Sequence, residues 1–65
     1  MKLSYFKDTD TLYIELKQSI VGETKDLDEN TLLDIDDKGN VVSITVEHAS
    51  KRADIDHLTL SEIAA

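Results

Sequence analysis

The stretch Tyr5-Phe6-Lys7-Asp8-Thr9-Asp10-Thr11-Leu12-Tyr13-Ile14-Glu15-Leu16 restricts the folds open to this chain. Leu12, Ile14 and Leu16 alternate with Tyr13, Glu15 and Lys17. That is the period of two which sends successive strand side chains to opposite faces. Lys2–Phe6 reads as a preceding strand with Leu3 and Tyr5 inward. Between the two, Asp8-Thr9-Asp10-Thr11 carries short oxygen-bearing side chains that bond nearby backbone and favour a tight turn. A sheet built from antiparallel hairpins follows.

Further along, residues 20–26 form a weaker strand interrupted by Gly22, where glycine marks a bulge or a close backbone approach. Residues 31–36 continue the sheet with Leu33 and Ile35 inward and Leu32, Asp34 and Asp36 outward. Val41–Glu47 pairs with them, Val42, Ile44 and Val46 facing the core. Asp36-Asp37-Lys38-Gly39 predicts a type I turn followed by a left-handed residue, a conformation Gly39 adopts without steric cost. After Glu47 the period changes, and residues 48–53 suit a helical turn. Ile55, Leu58 and Ile63 could then cover the apolar face, with Ser61 a candidate N-cap, but Leu58-Thr59-Leu60 equally suits a short extended segment, so the tail is left open. The expected architecture is α+β but mainly β: one domain, a four- or five-stranded antiparallel meander with a short C-terminal helix or turn.

Size and charge narrow the function classes. A chain of 65 residues buries only about 60% of its unfolded surface, and such scaffolds usually need a disulfide, a metal or a partner. Cysteine is absent, so disulfides and thiolate metal sites are excluded. That absence fits a reducing compartment, and no signal peptide or apolar span is evident, so a cytoplasmic location is expected. Fourteen acidic residues face seven basic ones, for a net charge of -7. Lys2, Lys7, Lys17, Lys25 and Lys38 are scattered and only Lys51 and Arg52 adjoin, which argues against nucleic-acid binding.

Three segments, Tyr5-x-x-x-x-Asp10-x-Leu12-Tyr13-Ile14, Leu33-Asp34-Ile35-Asp36-x-x-Gly39-x-Val41-Val42 and Glu47-x-Ala49-Ser50-Lys51, together resemble the YuzE-like domains, a prokaryotic family of uncharacterised function. The resemblance spans about the first fifty residues and implies a small single-domain protein, with no catalytic residues to carry over. Some similar short proteins are encoded beside small basic toxins and are proposed as antidotes. The DNA-binding segment that many antitoxins carry is missing here.

Candidate chemistry is sparse. Asp34-Ile35-Asp36-Asp37-Lys38-Gly39 echoes the opening of a calcium loop, but Lys38 takes a ligand place and Thr45 stands where a bidentate Glu is needed. A solvated hairpin turn is the simpler account. His48 and His57 with Glu47 would suit a divalent transition metal if they converged, though exposed histidines on a polar segment are the plainer reading. Ser50 beside Lys51 reads as a serine bonding the turn backbone, not as a catalytic dyad. Glu15, Glu47 and Asp34 are expected on the wet face, which gives no support to a carboxylate acid/base pair. A sheet this small is also expected to lack room for a pocket of several hundred cubic ångströms.

Enzyme activity is therefore disfavoured and no cofactor is expected. On the outer face, Phe6, Tyr13, Leu32 and Val41 would form an association patch if clustered. The leading expectation is an acidic protein-interaction module, either homo-oligomeric or bound to a small basic protein. A metal-binding protein using His48 and His57 and a purely structural homo-oligomer are the alternatives.

Overall fold

The computed structural model describes residues 1–54. Five strands, β1 (Lys2–Phe6), β2 (Thr11–Glu15), β3 (Glu23–Asp28), β4 (Thr31–Ile35) and β5 (Val41–Glu47), precede one helical turn, α1 (Ala49–Arg52). All pairings are antiparallel, in the order β1-β2-β5-β4-β3. The fold is thus a hairpin, β1–β2, joined to a three-stranded meander, β3–β4–β5, with β5 inserted between β2 and β4.

Register explains the layering. Leu3 pairs with Ile14, Ile14 with Ile44, and Ile44 with Leu33, so one row of apolar side chains crosses four strands. Tyr5, Leu12 and Val46 form the next row, which ends on Thr31. Leu3, Tyr5, Leu12, Ile14, Leu33, Ile44 and Val46, with Val42 two places from Ile44, therefore share one face as periodicity expects, whereas Ile35 meets Val41 at a bulge. Burial of that face is uneven: Leu12 and Val42 are buried, whereas Leu3 at 48% and Tyr5 at 37% remain exposed on the edge strand. An edge strand has a neighbour on one side only, so its apolar side chains lose half their shielding.

The strand boundaries depart from expectation in three places. Leu16 lies outside β2 and is exposed, although its N–H still donates to Val42 O. The third strand begins at Glu23, leaving Ile20 and Val21 exposed. Gly22 precedes it, donating to Ile35 O, and a Cβ there would meet Asp37 N at 3.3 Å, so the close backbone approach expected of this glycine is present. Asp36 turns inward and is buried, because it closes the β4–β5 turn: its carboxylate accepts the Lys38 and Asn40 N–H groups and Lys17 Nζ. Gly39 has φ 84°, the left-handed value the turn requires.

Ile55, Leu58, Ser61 and Ile63, proposed above as cover and cap, lie outside the described residues. Among the described residues, no helix is long and apolar enough to cross a membrane.

Candidate functional site

Asp10 is where the two halves of the fold meet. It ends the β1–β2 turn with φ 53°, and His48, which precedes α1, has φ 54°. Aspartate and histidine tolerate this left-handed region better than most residues, but it still carries strain. The bends bring their segments together. Asp10 O accepts the Ala49 N–H at 2.9 Å, and Ala49 is fully buried. The Asp10 carboxylate accepts the Tyr5 hydroxyl at 2.5 Å, the Ser50 N–H at 3.0 Å and the Ser50 hydroxyl at 2.7 Å. Donation by Tyr5 first, then by Ser50, holds the Asp10 carboxyl below the usual range. Ser50 thus bonds a carboxylate from a distant turn, where a local backbone partner was expected, and Asp10 serves the first turn of α1 as a cap supplied from outside.

The other end of α1 grips the second hairpin. Arg52 donates to Thr31 Oγ1 at 2.6 Å, Asn30 O at 3.3 Å and Asp28 Oδ2 at 3.2 Å. Asp28 also accepts the Asn30 N–H at 2.8 Å, and this bond leads the causes that lower its pKa. A four-residue helix is too short to persist alone. Its place comes from these side-chain bonds to both hairpins.

Beside this clasp, Tyr5, Lys7, Ser50, Lys51, Arg52, Ala53 and Asp54 line an open hollow of about 670 Å³. It is larger than expected for so small a sheet. A turn and a short helix project past the strand ends and form its walls. A second hollow of about 350 Å³ lies between Gly22 and the β4–β5 turn.

The residues singled out for chemistry are dispersed. His48 and Glu47 are exposed, and His57 lies outside the described residues. Among the described residues, no three His, Asp or Glu side chains converge to hold a metal ion. Asp34 accepts Thr24 Oγ1 and Ser43 Oγ on the outer face, while Asp36 serves its own turn, so these carboxylates face different partners. Of the outer apolar set, Tyr13 and Leu32 both pair with Thr45, on its two sides, and Phe6 lies diagonally from Tyr13. Val41 stands apart, at the far end of β5, opposite Ile35 at a bulge.

The clasp was only partly legible in sequence. Tyr5, Asp10, Ala49 and Ser50 all fall in the segments that carry the family resemblance, which flagged them without saying that they touch. Fold and site define a small, mainly β domain whose two parts, paired through β2 and β5, are clasped at α1 by the Asp10 carboxylate and the Arg52 guanidinium. The chain belongs to the family described as "Protein of unknown function (DUF2283)", which matches residues 2–50. Nothing matched among the curated proteins or the solved structures.

Proposed function

We propose that the domain is a protein-interaction module that takes up an extended, basic segment of another protein along β3. The observation that supports this is the character of that edge. All six residues of Glu23–Asp28 are exposed, and Glu23 and Asp26 outnumber Lys25, while Asp28 is paired with Arg52. Among the described residues β3 pairs only with β4, so its outer backbone groups are open there to a further strand. A like-charged edge repels its own copy, and the irregular pairing at Leu27, between Asp26 and Asp28, blunts it further. A basic strand meets the opposite sign. This suits an antidote to a small basic protein, in line with the family resemblance.

The test is a titration of the isotopically labelled chain with an extended lysine- and arginine-rich peptide. The expected result is saturable amide shifts centred on residues 23–28 that weaken with added salt. Shifts spread evenly over the surface, or an equal response to an acidic peptide, would defeat the proposal.

A second reading, self-association through the apolar face, is favoured by the exposure of Leu3, Tyr5 and Leu16. A monomeric mass in sedimentation at micromolar concentration would count against it.

A further inference from the structure

The open hollow beside α1 concentrates positive charge in an acidic molecule. Three of the seven basic residues, Lys7, Lys51 and Arg52, line it, with Asp54 as the one carboxylate of the lining among the described residues. Arg52 is committed to Asp28, Asn30 and Thr31. Among the described residues, Lys7 and Lys51 make no ion pair or hydrogen bond through their side chains. The Asp10 carboxylate is held by the neutral donors of Tyr5 and Ser50 and does not itself line the hollow.

We propose that this hollow binds a small organic phosphomonoester. Charge sets the head group: a phosphomonoester carries nearly two negative charges at neutral pH, matching the two uncommitted ammoniums. Lysine acts on phosphate as a point charge with three rotatable donors, so it needs no preformed fork. Volume sets the rest. About 670 Å³ exceeds the need of a bare oxyanion and falls within the range of small-molecule sites. Tyr5 and Ser50 supply rigid wall, because Asp10 fixes both hydroxyls. The lysines of the site stand at the β1–β2 turn and on α1, and only Arg52 reaches the end of β3, at Asp28, so the two proposals are read at different residues and either can fail without the other.

The experiment is an amide-shift titration of the full chain with ribose 5-phosphate and adenosine monophosphate, beside adenosine, inorganic phosphate and sulfate. The esters should give saturable shifts at Lys7, Ser50 and Lys51, adenosine none, and the bare oxyanions weaker ones. The double variant Lys7→Gln/Lys51→Gln should weaken ester binding by about tenfold or more, since each change removes a charge-assisted bond. Lys25→Gln/Lys38→Gln, with the same change in net charge, should bind as the parent does. Both lysines of the site are exposed and uncommitted, so their replacement leaves the fold intact, which an unchanged circular dichroism melt verifies. Absence of saturable shifts, equal binding of sulfate, or unaltered affinity in the site variant would each overturn the assignment. A phosphoserine peptide run alongside separates sources: binding tighter than that of the small esters would overturn the small-molecule assignment.

Discussion

Single residues carry two of the decisive constraints. At Gly39 a Cβ would meet nothing within 4 Å, so space is not the issue; the φ of +84° is. Gly39→Val forces a β-branched residue into the left-handed region and should cost about 1–2 kcal/mol in urea denaturation, with Gly39→Asn losing less. An unchanged midpoint for the valine variant would mean that the turn reorganises freely. Asp36 sets the acid limb of stability. Lys17 first, then the Asn40 N–H, lowers its pKa from 3.8 to about 2. The folded value lies below the unfolded one, so the contribution is fully present above about pH 4 and disappears as pH falls through about 2. Asp10 and Asp28 are lowered too and act in the same direction. Melting temperature measured from pH 5 downward should therefore fall steeply below pH 4 in the parent and less steeply in Asp36→Asn.

Among the elements, α1 depends most on its surroundings. Asp10 and Ser50 act on each other directly, so their effects on stability should not add. A double-mutant cycle of Asp10→Asn and Ser50→Ala should show that, once either is changed, the second costs little. Strict additivity would show that the bond contributes nothing. Ala49 is fully buried beneath the clasp, and Ala49→Leu should destabilise by about 1–3 kcal/mol through overpacking. How much of this was readable from sequence depends on the range of the physics involved. Strand periodicity at Leu12, Ile14, Val42, Ile44 and Val46 is local, and it identified the correct face. The Asp36–Gly39 turn is also local, and its position and the left-handed Gly39 were legible. The Asp10–Ser50 bond joins residues forty positions apart. No pattern of polarity encodes it, since both residues are ordinary turn formers until the register of β2 on β5 brings them together. Leu16 misled for the converse reason: its alternation with Leu12 and Ile14 suggests a core place, but β2 ends before it, and the strand read from residue 20 begins only at Glu23. Asp36 misled because alternation assigned it a face that the turn backbone overrode.

For the whole molecule, shape is the main consequence of the strand order. The principal extents are 35 × 34 × 18 Å, and the radius of gyration of 12.9 Å exceeds the roughly 10–11 Å of a compact chain of this length. Among the described residues, the single-layer sheet leaves its apolar face half-buried and both edge strands accessible, the features on which the proposal of association rests. The same order predicts a gradient of local stability. β5 has a strand on each side and contributes the buried Val42 and Ser43, whereas β3 has one neighbour and no buried side chain. Amide exchange should accordingly open β3 at the lowest free energy and β5 only with global unfolding. Adding the basic peptide should raise protection along β3 and leave β5 unchanged, because a strand added at the edge pairs the backbone groups that fraying otherwise exposes. Protection rising at β1 instead would place the protein-binding edge on the opposite side of the sheet, beside the cationic hollow, and would reverse the charge expected of the partner.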